Sequence, residues 1–540
     1  MFLNPESIDA LQSGIVRDCL AMLPELIVCG TILFMLIVRL FPAFDQWHLG
    51  LEALTLTVLA LAISFTQWLQ QPPLLGGYDL FGHMIRYDYF TIFMRMVLLG
   101  FTALTIWLSL LTGIPDREDS ADFYSLLLGA TLGMMLMASA NHLLMVFIAV
   151  EMASIPSFAL AGFLKGKRQS SEAALKYVVY GGGASGIMLY GISLIAGKFG
   201  TGYLPDLARA MPLAMESRLD LVLVLGILLI LVGLGFKLSL VPFHFWCPDV
   251  FEGAAAEVAG FLSVASKGAA LALLGRFVLV LMSSVRSEAL VYFLVPTLAF
   301  FAAITATFGN LAAYPQTNLK RLLAYSTIAQ AGYMVMALAT LTPEGASAVL
   351  FYLVTYVFMN LGAFAIIAFL RNLTGSEELS SFRGLVYRSP VLVVTLAIFL
   401  LSLLGVPPLA GFAAKFQVFQ ALYRAGDAYL AQGEPGLGYI LIGLLVIGGI
   451  NSVFSVVYYI RVLKVMIIER PIEEVEGRPA EELPVPPAQA FYASLLAAML
   501  FLIGILWDPL ARASDKGTTG FSRPRPAPAA VARSEREAQP

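Results

Sequence analysis

Charge is what this chain has least of. Asp, Glu, Lys and Arg make up 13% of its 540 residues, about half the share of an ordinary soluble domain. The net charge is −3, so no basic surface for nucleic acid is on offer. Three cysteines, Cys19, Cys29 and Cys247, include no CxxC pair, which excludes a disulfide framework and the usual iron–sulfur ligation. The four histidines, His48, His83, His142 and His244, are scattered without metal-ligand spacing. No GxGxxG follows a strand and no Walker sequence occurs, so a phosphate-cradling loop is lacking as well. What is plentiful is apolar side chain: 59% hydrophobic residues and a mean hydropathy of +0.82. That composition belongs to an all-α polytopic membrane protein. The polar start runs into a full-length apolar span rather than a cleaved signal.

About fourteen apolar stretches are long enough for a hydrocarbon core of roughly 30 Å. They fall near 19–41, 50–70, 88–112, 121–140, 141–164, 171–199, 219–247, 255–283, 288–312, 319–341, 345–371, 389–426, 437–468 and 487–508. The Gly-rich segment 72–87 reads as a loop or hairpin, and 470–486 as an acidic surface loop. Residues 512–540, rich in Pro, Ala and Arg, read as a disordered tail. Alternate connections are rich in Lys and Arg: Arg117, Lys165, Lys167, Arg168, Lys320 and Arg321 on one side, against Arg86, Arg209, Arg218 and Arg286 on the other. The richer side faces the cytoplasm, which places both termini in the periplasm.

Two stretches combine a helix breaker with a buried charge. In Gly233–Glu252, Lys237 precedes Pro242 by five residues; in Val406–Lys415, Pro407 and Pro408 precede Lys415. A lysine at membrane depth costs roughly 2.5–3.5 kcal/mol on insertion scales. Proline inside a helix removes a hydrogen bond and clashes with the preceding turn. Interrupted segments in corresponding halves point to an inverted-repeat transporter with a site at the breaks. Glu151 and Lys267 also lie near the middle of apolar spans. Ionisable groups at that depth mark proton relays, so Glu151, Lys237, Lys267 and Lys415 are the candidate relay residues. Three further residues have accessory claims. Lys176, a turn and a half into its span, either joins the relay or snorkels. His244 either gates protons or packs as an aromatic ring. Asp249 either caps the following helix or lines a cytoplasmic mouth. Gly181-Gly182-Gly183 suits close helix packing, and Arg95 and Arg276, near span ends, read as snorkelling side chains.

Six stretches carry a family resemblance: Glu172–Tyr177 (EAALKY), Gly235–Gly253 (GFKLSLVPFHFWCPDVFEG), Ala265-Ser266-Lys267, Asn318–Ser326 (NLKRLLAYS), Ala331-Gly332-Tyr333 and Gly405–Phe416. With these the chain resembles the antiporter-like membrane subunits of bacterial respiratory complex I, the proton-pumping NADH–quinone oxidoreductase, and among them subunit N. The related L and M types and the multisubunit cation/proton antiporters carry histidine in the eighth helix, where this chain has Lys267, and no long lateral helix follows the last span. The resemblance implies fourteen helices with two inverted five-helix repeats, whose seventh and twelfth helices, near 219–247 and 389–426, are discontinuous. The implied layout is an N-terminal three-helix segment (1–118), repeats over 119–283 and 284–468, an acidic loop with the last helix (469–511), and the tail. It also implies proton-channel roles for the same four charges. Partners would be the other membrane subunits of complex I and the lipid of a bacterial inner membrane. The chain itself would hold no cofactor; NADH, FMN, iron–sulfur clusters and quinone would sit in partner subunits. A cation/proton antiporter subunit is the alternative. One departure concerns Gly253–Val258, which lacks the prolines expected between the seventh and eighth helices.

Overall fold

The computed structural model describes residues 14–41, 47–70, 77–215, 220–283, 288–471, 474 and 482–521. Eleven helices among them are long and apolar enough to cross a membrane, and the pair α1 (Gly14–Ala21) and α2 (Leu23–Val38), bent by 74°, adds a twelfth. The expected count of fourteen is reached by adding α14 (Leu319–Leu338) and one broken span, α16 (Pro390–Leu404) with α17 (Ala410–Ala431). Both escape a hydropathy test for physical reasons. α14 starts with Lys320 and Arg321, and α16 is only 15 residues long.

Three helices open the body: α2, α3 (Gly50–Gln70) and α4 (Tyr89–Thr112). Between α3 and α4 the expected hairpin forms, β1 (Tyr78–Leu80) antiparallel to β2 (Ile85–Tyr87). Its hub is Asp79, which accepts hydrogen bonds from Arg86, Asn141 and Tyr203 at 2.5–3.0 Å and pairs with His83 at 2.8 Å. Burial works against the ionised carboxyl, but these hydrogen bonds win and hold Asp79 below the usual carboxylate range.

The first repeat comprises α5 (Ser120–Ser139), α6 (Leu143–Ala161), α7 (Arg168–Phe199), the short α8 (Leu204–Ala214), then α9 (Leu221–Leu238) with α10 (Trp246–Gly253), and finally α11 (Ala256–Phe261) with α12 (Lys267–Ser283). The second comprises α13 (Glu288–Ala312), α14, α15 (Pro343–Thr374), α16 with α17, and α18 (Pro435–Ile467). One neighbour pattern serves both. The first helix of each repeat packs on the second and on the fifth, and the third packs on both halves of the broken fourth. The first two helices even touch through the same device. A Cβ on Gly133 would lie 2.3 Å from the Ala153 backbone nitrogen, and one on Gly309 2.6 Å from that of Ala329. Small residues let the backbones meet, at equal sequence separation in each repeat. Of the Gly181–Gly183 run, only Gly181 serves close packing, against Phe158; Gly182 and Gly183 face open space.

Several expectations need correction. Arg95 and Arg276 do not snorkel: both are fully buried. Arg95 bonds Glu25 at 2.5 Å and Gln67 at 3.0 Å, while Arg276 grips Asp88 with two bonds of 2.8 and 2.9 Å. Removing one partner of such a pair typically costs about 3–5 kcal/mol, because the other charge is left uncompensated. The tail does not begin disordered at 512. After α19 (Pro487–Ile505) the chain forms α20 (Asp508–Thr518), which packs on α15 and α4. Residues 522–540, part of the acidic loop, Arg218 and Arg286 lie outside the described residues. The proline-poor connection after α10 forms nonetheless. Ala254 and Ala255 take φ of −74° and −58°, the values proline would fix.

Candidate proton-transfer site

The first break follows from Ser239, which adopts a left-handed φ of 55° and ends α9. The chain then turns through Pro242 and restarts as a helix at Trp246. Freed backbone groups find partners: the Val241 amide donates to Thr305 Oγ1 at 3.0 Å, and Trp246 Nε1 donates to the Phe236 carbonyl at 2.8 Å. The second break begins at Gly405, with φ of 94°, and ends at Ala410; there the Gly411 amide donates to Ser402 Oγ at 3.1 Å.

The two lysines at these breaks precede and follow them. Lys237 lies in the last turn of α9. Lys415 lies one turn into α17 and reaches back to donate to the Leu404 carbonyl of α16 at 2.9 Å. The Lys415 ammonium therefore meets the carbonyl end of a first half-helix, where the backbone dipoles favour a cation. Their surroundings differ. Lys237 is 1% exposed, and among the described residues its Nζ has no hydrogen-bond partner. The carboxylate whose charge acts on it is Glu151, on α6, which accepts a short hydrogen bond from Ser185. In the second repeat the position matching Glu151, two residues before Ala329, is Thr327. Lys415 accordingly has a carbonyl and the face of Tyr333, 4.6 Å from its Nζ, instead of a carboxylate.

Lys267 opens α12 immediately after a π-helical turn, Leu262–Ser266, a feature that often marks functional positions in helices. It is fully buried, with Nζ 3.8 Å from Cys247 Sγ and 5.9 Å from the Phe251 ring centre. His244 packs tilted on Phe245 and edge-on to Phe308, with ring centres 4.5 Å apart in each pair, and its Nδ1 makes no hydrogen bond among the described residues. Asp249 makes no capping bond. It bridges Lys176 at 2.6 Å and Arg321 at 2.7 Å; Arg321 also binds Glu252 at 2.7 Å, and Lys176 binds Glu172 at 2.8 Å. These five charges line a cavity of about 190 Å³ between α7, α10 and α14. Asp249 thus lines this cavity instead of capping α10, and Lys176, partly exposed, holds its ammonium in ion pairs there.

Neutral polar groups beside the second break were not singled out from the sequence. Gln330 donates to the Leu403 carbonyl at 3.1 Å and accepts from Tyr352, and Ser326 meets Tyr459 at 2.6 Å. Ser326, Gln330 and Tyr333 recur at helical spacing on α14, a periodicity that would have revealed the face. Among the described residues no group of three or more His, Cys, Asp or Glu is placed to hold a metal ion.

Broken half-helices, buried lysines beside the breaks and the repeated five-helix layout define an antiporter-like membrane protein. The chain belongs to the NADH:quinone oxidoreductase/Mrp antiporter transmembrane family, whose model matches residues 140–432. It is 37% identical to the NADH-quinone oxidoreductase subunit N of Anaeromyxobacter over 94% of this chain and 98% of that one. A chain of respiratory complex I from Thermus thermophilus superimposes with a TM-score of 0.72 at 30% identity, covering 92% of this chain and 100% of that one. A chain of the Mrp complex from Dietzia gives 0.79 over 94% and 97%, but at 19% identity it shares the fold alone.

Proposed function

We propose that this chain is the subunit N type of proton-translocating subunit in a membrane-bound NADH–quinone oxidoreductase. It passes protons through Glu151, Lys237, Lys267 and Lys415, with redox energy supplied by partner subunits that hold the NADH, FMN, iron–sulfur and quinone sites. The chain alone carries out no redox step. The observation that carries the reading is the pair of membrane-buried lysines at the two helix breaks, Lys237 in the last turn before the first and Lys415 a turn after the second. A group that gains and loses a proton in a low-dielectric site is what a relay needs, and lysine shifts readily between its forms there. The mouth around Asp249, Lys176 and Arg321 would admit protons, with His244 alongside the break. The antiporter alternative shares the family and a fold likeness at 19% identity, whereas subunit N is supported by 37% identity over nearly the whole chain. The test is proton uptake by vesicles carrying the assembled complex. Uptake should require both NADH oxidation and quinone. Cation-driven proton exchange in complexes that oxidise no NADH would overturn the reading in favour of the antiporter.

The bias of Lys and Arg supports an orientation with both termini in the periplasm of a bacterial inner membrane. Single cysteines replacing Lys167 and Ser534, in an otherwise cysteine-free chain, are expected to label from opposite faces. Labelling of both from one face would refute the orientation.

A further inference from the structure

An apolar concavity of about 690 Å³ lies between α3, α4, α15 and α20, and none of the buried lysines lines it. Its long walls are Leu54 to Trp68 on α3 and Phe93 to Trp107 on α4, each about 21 Å at 1.5 Å per residue. That exceeds the half-thickness of a hydrocarbon core, roughly 15 Å, so the groove can take the full length of one leaflet's acyl chain. Its α3 side is open laterally: Phe65 is 53% and Val58 48% exposed. Gly100 keeps the floor low, since a Cβ there would meet only Leu61 Cδ2, at 3.9 Å.

One end is different. Lys516, on α20, holds its Nζ 4.8 Å from the Trp68 ring centre and 4.5 Å from that of Tyr89. Trp and Tyr are the residues of the membrane–water interface, so this end lies at headgroup level. Among the described residues no carboxylate pairs with Lys516. Its neighbour Asp515 instead accepts a 2.6 Å bond from Ser347 and lines a different cavity. An apolar slot of acyl-chain length that ends in an unneutralised cation on aromatic faces is complementary to one ligand class. The geometry points to a bound anionic phospholipid, with an acyl chain between α3 and α4 and its phosphodiester on Lys516. Basic pockets beside transmembrane helices recognise lipid headgroups in this way. The lipid would fill the concavity and hold α20 against the bundle.

The test uses the full chain reconstituted in phosphatidylcholine vesicles. Trp47 and Trp507 are replaced by Phe, which leaves the groove residues Trp68 and Trp107 with the buried Trp246. Quenching is read with phosphatidylglycerol or phosphatidylcholine brominated in the acyl chain. Phosphatidylglycerol is expected to bind about fivefold more tightly, the factor one interfacial lysine supplies. Lys516→Gln should bring that ratio to one with quenching by phosphatidylcholine unchanged, and Lys516→Arg should keep it. Gly100→Phe should lower quenching by both lipids. A ratio unmoved by Lys516→Gln would overturn the headgroup assignment. Absence of quenching by either lipid would mean that protein covers the groove, and would overturn the proposal entirely.

Discussion

Lys237→Met is expected to leave the complex assembled, make it no less stable, and remove this chain's contribution to proton uptake per NADH oxidised. The argument is a conflict between two costs. A buried ammonium without a hydrogen-bond partner is expensive, and Lys237 is 1% exposed with Nζ unbonded among the described residues. Methionine has nearly the same shape and no charge, so the insertion cost of roughly 2.5–3.5 kcal/mol disappears. Set against this is the loss of the partner that acts on Glu151. That residue is only half-buried and keeps its hydrogen bond from Ser185, so the loss is modest. A lysine kept for structure would behave oppositely, with stability falling and transport following it. Thermal unfolding of the purified complex and proton uptake in vesicles separate the two. Glu151→Gln should reproduce the transport defect, and the double variant should be no worse than either single one, since both act in one step. Wild-type rates and proton ratios in Lys237→Met would remove it from the path.

The four relay candidates were legible because a single charge inside twenty apolar residues stands out whatever the fold. The two breaks were legible for a similar reason, since Pro242 and the Pro407–Pro408 pair punctuate helices that hydropathy alone would run together. What stayed hidden depended on partners remote in sequence. Arg95 and Arg276 looked like span-end side chains because Glu25 is 70 residues away and Asp88 is 188. Only the folded bundle supplies those carboxylates. Asp249 reads more readily as a cap than as a mouth until Arg321, 72 residues on, is seen to share it with Lys176. α20 was missed for another reason. Its sequence, DPLARASDKGT, has the composition of a tail, and it is its seat on α4 and α15 that makes it a helix. The π-helical turn before Lys267 was not read from the sequence; the helices on either side of it, α11 and α12, pack against α15 and α5.

Arginine in place of Lys415 should keep the fold and halt transport through the second repeat. Lys415 donates to the Leu404 carbonyl at 2.9 Å and sits 4.6 Å from the Tyr333 ring centre. A guanidinium can do both, since it donates in plane and stacks well on aromatic faces. The fixed positive charge at the carbonyl end of α16 is therefore preserved, and with it the favourable dipole interaction. What is lost is the neutral form. The guanidinium pKa exceeds about 12 in proteins, so no proton can be passed on, whereas a desolvated lysine can release one. No carboxylate occupies the position matching Glu151 in this repeat, where Thr327 stands instead. Nothing equivalent to the Glu151 charge on Lys237 therefore comes from that position to hold the Lys415 proton in place. Lys267→Arg extends the test with a caution built into its design. Lys267 is fully buried against Cys247 and Phe251, so the larger head group strains the core by about 1–3 kcal/mol, and assembly must be checked first. The measurement is proton uptake per NADH oxidised in vesicles, for Lys415→Arg and, as a control without charge, Lys415→Gln. Both are expected to fail alike. If Lys415→Arg pumps fully while Lys415→Gln does not, Lys415 supplies only a standing charge to the second break, and its place as a proton carrier is refuted.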